Sequence, residues 1–476
     1  MKNRRDFLTR VFGLGAGLAA LPSLSAAEPS KRHPSMTSAP PVTVVTPDVP
    51  DLAWRMVDGA KEFHLIAEPV KQEIVPGKVL DLWGYNGSAP GPTIQVSQGD
   101  RVRIIVDNHL PEPTAMHWHG FEVSNNMDGA PGVSQDPIPP GGRFVYEFTL
   151  HQAGTFFYHS HMAMQEMMGM LGAFIMHPKE AYSPRVDKDF AILLQEYAVL
   201  PNNTIPNSMN MEFNWLTFNG KSAPATTPLI VRLNDRVRVR LINLGMDHHP
   251  VHLHGHTFVV TGTEGGRQPQ SSWGPKNTVL VGVSEAYDIE FVANNSGDWM
   301  IHCHLPHHMM NQMASMVGPM TRGGAGMPAG LDMERGMGMA KQGSATSPEN
   351  GPSLGRGLGV GANQEEAVSN GSMQEMPGMS HGAPGAAEMP EISQNASRVP
   401  GFPQDAFMES PMMAMDKMVD KAETHGLRAG WSGFAQGMMT FLRVLPPELY
   451  DRITEMQEKN KTNPQPLPEM EHPHHG

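Results

Sequence analysis

Four His-x-His pairs punctuate the chain: His117/His119, His159/His161, His252/His254 and His302/His304. In a β-strand, residues i and i+2 point to one face, so each pair presents two imidazoles together. One such pair is commonplace on a surface; eight imidazoles in register can hold a cluster of metal ions. The last pair brackets Cys303, the single cysteine among 476 residues. A lone cysteine makes no intrachain disulfide. It is buried and inert, or it is a ligand or nucleophile. In 302-HCH-304 the thiol points away from its neighbours. Cys303 can therefore bind one metal while His302 and His304 bind others behind it. The backbone becomes a short covalent path between two metal sites, an arrangement that suits electron transfer.

Further ligands follow by position. His249 stands three residues before His252, His308 five after Cys303, and Met313 ten after Cys303. Two imidazoles, one thiolate and a weak axial thioether would make a blue-copper site.

The elements that must position these residues repeat. The stretch 93-TIQVSQGDRVRIIVDNHLPEPTAMHWHG-120 matches 228-PLIVRLNDRVRVRLINLGMDHHPVHLHG-255, and 154-GTFFYHSH-161 matches 297-GDWMIHCH-304. Short β-type runs with alternating polarity lie between turn residues, and helical periodicity is scarce. The spacing predicts an all-β chain of two tandem β-sandwich domains, over 60–182 and 183–318. The repeat is also an internal control. Where the second copy has Cys303, His249 and His308, the first has Ser160, Thr114 and Gln165; only Met170 matches Met313.

Outside the repeats the texture changes. Residues 1–27 carry twin arginines, a short Gly/Ala-rich apolar run and a small-residue site, and read as a Tat export signal, which implies a periplasmic location. No other segment reads as membrane-spanning. Residues 28–59 read as a polar, Pro-rich linker. Residues 319–403 form a Met/Gly/Pro-rich tract expected to be disordered. In 404–476 the residues Trp431, Phe434, Met438, Phe441, Leu442 and Leu445 recur at three- and four-residue steps and predict helix. A second helix is expected to open at 446-PPELYDRI-453, with Pro in its first turn. The formal charge of −13 argues against nucleic acid as a partner.

Over about residues 60–318 the chain resembles the multicopper oxidase family, on the motifs HWHG, YHSH, HPVHLHGH and HCHLPHH. The resemblance implies cupredoxin-like Greek-key domains and four coppers per functional unit. Carried onto this chain, the type 1 copper takes His249, Cys303, His308 and Met313. The type 2 copper takes His117 and His252. The type 3 pair takes His119, His159, His161, His254, His302 and His304. Asp128, in 126-NMDG-129, resembles the family carboxylate that assists proton delivery; it also suits a turn before Gly129. Two departures stand out: Gln312 precedes the axial position where a small residue is common, and Leu305-Pro306 follows HCH where some members carry a carboxylate. No middle domain fits between the repeats, so the chain resembles the two-domain class. There the cluster forms between domain 1 of one subunit and domain 2 of the next, which implies a homotrimer.

The resemblance implies oxidation of phenols, aromatic amines or metal ions, with dioxygen reduced to water. The 37 methionines bear on the choice, since thioethers favour Cu(I). They cluster in 162-MAMQEMMGM-170, in 309-MMNQMASMVGPM-320 and through the tract, so Cu(I) and a role in periplasmic copper tolerance are the expected readings. Two alternatives remain. A copper-containing nitrite reductase also has two cupredoxin domains, but with its blue site in domain 1. A non-enzymatic copper buffer would not need the complete ligand set.

Overall fold

The computed structural model describes residues 41–309, except 163, 200–202 and 212, and residues 415–462. The export signal over 1–27, the tract over 319–403 and Met313 lie outside the described residues.

Domain 1 is built from nine strands. They are β1 (Trp54–Val57), β2 (Ala60–Val75), β3 (Lys78–Tyr85), β4 (Ile94–Ser97), β5 (Arg101–Asn108), β6 (Met116–His119), β7 (Arg143–Thr149), β8 (Gly154–Ser160) and β9 (Leu171–His177). One sheet runs β1-β2-β5-β7 with β3 on β2, and the other runs β4-β9-β8-β6. Between them lie Phe63, Ile104 and Tyr146 from one sheet and Trp118, Phe156 and Phe174 from the other. The alternation of Arg101–Asn108 places Val102, Ile104 and Val106 inward and Arg101, Arg103 and Ile105 on the other face, as half-buried strands require. Strand β1 lies within the stretch expected to be a linker. It pairs with β2, so domain 1 begins earlier than composition suggests.

Domain 2 repeats the plan. Its strands are β10 (Lys188–Tyr197), β11 (Trp215–Phe218), β12 (Leu229–Arg232), β13 (Arg236–Asn243), β14 (His249–Leu253), β15 (Phe258–Thr263), β16 (Gly266–Arg267), β17 (Pro275–Lys276), β18 (Thr278–Val281), β19 (Ala286–Val292), β20 (Gly297–Cys303) and β21 (Met439–Leu445). One sheet runs β11-β10-β13-β19-β15-β16, with β17 on β15, and faces the sheet β12-β21-β20-β14-β18. The domains meet through a second apolar layer. Phe157, Leu171 and Ile175 pack with Leu193, Ile242 and Leu244, so β8 and β9 are buried on both faces.

Strand β21 corrects the helical expectation for its residues. It pairs parallel to β12 and antiparallel to β20, the same connections that β9 makes with β4 and β8. The last strand of domain 2 is therefore supplied from beyond the Met-rich tract. All seven residues of β21 are buried. Leu442 and Val444 join the domain 2 core, while Met439 and Phe441 pack with Ala223 and Ala435 on the other face. A strand apolar on both faces shows no period of two, and its residues fell by chance on helical steps. The helix expected after it is present as α1 (Pro447–Thr462). No helix among the described residues is long and apolar enough to cross a membrane.

Candidate metal centre

The His-x-His pairs sit on neighbouring strands in matching register. His117 on β6 lies opposite His159 on β8, and His252 on β14 lies opposite His302 on β20. In domain 1 the His117 ring lies 5.6, 5.4 and 5.2 Å from His119, His159 and His161. In domain 2 the His252 ring lies 4.9, 5.6 and 5.5 Å from His254, His302 and His304. Strand alternation has thus gathered two sets of four imidazoles.

In each set two of the outer nitrogens are already engaged. His117 donates from Nδ1 to the Asp128 carbonyl at 2.8 Å, and His252 to the Asn277 carbonyl at 2.7 Å. His159 and His302 donate from Nδ1 to the carbonyls of Ser160 and Cys303, at 3.0 and 2.8 Å. An imidazole that gives its one N–H to a carbonyl turns a lone pair the other way, the usual preparation of a metal ligand. Burial, reinforced by the neighbouring imidazoles, holds His119 down to about 4. Burial likewise holds His302 down to about 4, against the pull of its bond to the Cys303 carbonyl. Both are neutral near pH 7 and ready to ligate. Asp128 touches this set through its carbonyl; its carboxylate is 3.6 Å from His117 Nδ1 and partly exposed. Gly129 behind it has φ +88°, and a Cβ there would come within 1.7 Å of the Met116 carbonyl oxygen, so the turn needs glycine.

The second group is buried beneath. Cys303 Sγ lies 3.7 Å from His249 Nδ1 and 3.5 Å from His308 Nδ1, and the two Nδ1 atoms are 3.2 Å apart. Both Nε2 atoms face carboxylates: Glu196 at 3.0 Å from His249, and Asp247 at 3.4 Å from His308. If each Nε2–H is given to its carboxylate, two Nδ1 lone pairs face each other beside a thiol. A cation held between them satisfies both lone pairs and the sulfur together, so the donor set fits a thiophilic metal such as copper. Burial pushes the Cys303 thiol up to about 12, so a bound cation is what would favour the thiolate here. Cys303 packs in the core while His302 and His304 turn to the imidazole set, as strand alternation requires.

Three residues of this centre escaped sequence reasoning: Glu196, Asp247 and Met438. The carboxylates come from a distant strand and a loop. Met438 precedes β21, is fully buried, accepts the Cys303 N–H at 3.0 Å and donates its own to the His308 carbonyl at 2.9 Å. Register makes it the counterpart of Met170, because His302 faces Met439 on β21 as His159 faces Leu171 on β9. The signal was present in sequence as a Gly-Met step before the last strand of each copy, 169-GMLGAFIM-176 and 437-GMMTFLRV-444.

In domain 1 the matched positions form a closed hydrogen-bonded plug. Thr114 and Ser160 both donate to Gln165 Oε1, at 2.8 and 2.6 Å. Gln165 Nε2 donates to Glu112 Oε1 at 2.9 Å and to the Pro113 carbonyl at 2.8 Å.

Two family models described as multicopper oxidase match residues 69–181 and 199–319. The chain is 33% identical to a blue copper oxidase of known structure from Nitrosomonas europaea, covering 53% of this chain and 81% of that one with a TM-score of 0.50. It is 41% identical over 124 residues to a copper resistance protein A homolog of Pseudomonas syringae pv. tomato, covering 26% of this chain and 21% of that protein. It is 26% identical over 326 residues to the multicopper oxidase MmcO of Mycobacterium tuberculosis, covering 61% and 62%. The chain spans less than a quarter of the length of the copper resistance relatives, 21% to 24%. With both repeats matched and the ligand frame in place, the chain belongs to the multicopper oxidase family.

Proposed function

We propose that the protein takes electrons singly from a reducing substrate at a blue site in domain 2 and delivers them to dioxygen at a histidine cluster. The observation that carries this reading is the buried triad of His249, Cys303 and His308, one peptide bond from His302 and His304. His249, Cys303 and His308 would hold the type 1 copper. Met438, the register counterpart of Met170, would supply the thioether that spacing alone assigned to Met313. His117 and His252 would hold the type 2 copper, and His119, His159, His161, His254, His302 and His304 the type 3 pair. When bound, copper supplies one-electron uptake at the first centre and four-electron reduction of dioxygen to water at the second.

The protein's own part is to orient and connect. The Cys303 backbone links the two centres covalently. Asp128, at the edge of the first imidazole set, would assist proton delivery to the reduction. Each domain supplies four imidazoles, and the rings of each set pack against one another. Two half-clusters on one chain suit closure against neighbouring copies, and a ring of three is the proposed assembly.

Cu(I) is the proposed reductant and periplasmic copper tolerance the proposed role, after export through the Tat signal. A cleft of about 270 Å³ beside His159 and His161 is lined by Met162, Met164, Met167 and Met246 with Glu166, which suits a soft cation. Relatives named copper resistance protein A point the same way. Dioxygen uptake by the copper-loaded protein with Cu(I) and with a dimethoxyphenol tests the reading, with and without residues 319–403 excised. Preference for Cu(I) that weakens on excision supports a cuprous oxidase fed by the tract. Equal use of the phenol, indifferent to excision, makes the protein a general laccase. No uptake with either substrate refutes the oxidase reading.

A further inference from the structure

Both imidazoles of the proposed blue site rest on carboxylates, and only one of these carboxylates belongs to the shared frame of the two domains. Asp247 has a counterpart. The buried asparagines that end β13 and β5 fix the alignment. Asn243 Nδ2 donates to the carbonyls of Asp247 and Val281, and Asn108 Nδ2 to those of Glu112 and Ile138. Glu112 therefore stands where Asp247 stands, and it holds Gln165 as Asp247 holds His308. Glu196 has none. Leu194 pairs with Asn243 across β10 and β13, as Ala67 pairs with Asn108 across β2 and β5. Two residues further along, Glu196 falls opposite Pro69 of domain 1. The carboxylate is present only in the copy that keeps His249.

Its setting is built for one purpose. Glu196 is fully buried. One oxygen lies 3.0 Å from His249 Nε2. The other accepts the N–H groups of Met246 and of Asp247, the latter at 2.9 Å. A Cβ on Gly245 would come within 2.1 Å of the carboxylate, so the loop wraps it only because residue 245 is glycine. Three N–H donors converge on the group. An isolated buried carboxylate is costly, and these donors offset part of that cost. A bound copper would offset more.

We infer that Glu196 is a positioning residue for the blue site, and that its buried charge lowers the potential of the copper held there. It acts on His249 directly, by fixing Nε2 as the donor and turning the Nδ1 lone pair toward Cys303. It acts on His308 through Asp247, whose backbone it anchors. Asp247 is partly exposed and screened by solvent, so the buried charges are the thiolate and Glu196; counting those two, a Cu(II) centre is neutral and a Cu(I) centre carries one net negative charge in an apolar core. The carboxylate therefore favours the oxidised state. This rests on the blue-site reading above.

The test follows the blue absorption band of the copper-loaded full chain under potentiometric control, with copper retention measured by chelator competition. The proteins are wild type, Glu196→Gln and Glu196→Asp. The Gln variant should raise the potential, and weaken type 1 copper retention by about 10- to 100-fold, the usual cost of losing an outer partner. The Asp variant keeps the charge but draws it back by one methylene. Its potential should stay near wild type while retention falls. A wild-type potential in Glu196→Gln overturns the electrostatic role, and so does an equal shift in both variants. Undiminished retention in Glu196→Asp overturns the positioning role, and stands as a test even where the Gln variant does not fold. Absence of the band from the wild-type protein would instead remove the blue-site reading itself.

Discussion

At matched places in one backbone frame, domain 1 carries Thr114, Ser160 and Gln165, and domain 2 carries His249, Cys303 and His308. The first set satisfies itself: two hydroxyls and an amide close a network in which both hydroxyls and the amide nitrogen find acceptors. The second set is short of donors, because the carboxylates behind its imidazoles aim two lone pairs at each other and one thiol proton serves only one of them. The difference between a plug and a metal site lies as much in what stands behind the ligands as in the ligands. In the histidine sets the two domains remain alike, each with two of its outer nitrogens held by carbonyls.

The comparison can be broken at several levels. Replacing His159 or His302 by Ala should cut dioxygen uptake by more than about 100-fold, because a direct ligand counts for more than an outer partner. Equal loss from either domain is expected, and uptake that survives in one would show that its set is dispensable.

A smaller effect should follow from Gln165→Leu. It strands the hydroxyls of Thr114 and Ser160 and the Glu112 carboxylate, at a cost of about 1–3 kcal/mol. Chemical denaturation should register that loss while the blue band stays unchanged.

The pH dependence of the metal-free protein comes next. His119, His177 and His302 are held down to about 4, in each case chiefly by burial, against an ordinary value of 6.5. Between those values the unfolded chain binds protons that the folded chain refuses, so stability rises with pH across the window. The unfolding midpoint should fall on acidification from about 6.5 to about 4. A flat midpoint there would show these imidazoles to be freely solvated.

The smallest effects separate the methionines. Met170→Leu should cost under about 1.5 kcal/mol and leave the spectrum alone. Met438→Leu should raise the potential of the blue centre, since a thioether still donates to copper. A shifted potential in Met313→Leu with none in Met438→Leu would reverse the axial assignment.

Much of this was legible in the sequence because strand geometry has a short period. A spacing of two places both histidines of a pair on one face, and the same rule turns Cys303 to the other. The missing parts depend on distance. Met438 lies beyond a long Gly-, Met- and Pro-rich stretch, so spacing from Cys303 finds Met313 first. Strand β21 is buried on both faces and carries no alternation. Glu196 sits in 189-DFAILLQEY-197, where nothing local marks it as the partner of a residue 53 positions away. There is a practical consequence. Truncation after Gly318 would remove β21 from the domain 2 sheet, so the tract must be excised internally.

The central claim is that one of two matched sites is blue and the other is a plug. It is tested most directly by the visible spectrum and dioxygen uptake of the copper-loaded full chain, with Cys303→Ser beside Ser160→Ala. The account predicts that the first loses the blue band and the uptake while keeping cluster copper, and that the second keeps both. A blue band surviving in Cys303→Ser, or lost in Ser160→Ala, would contradict it.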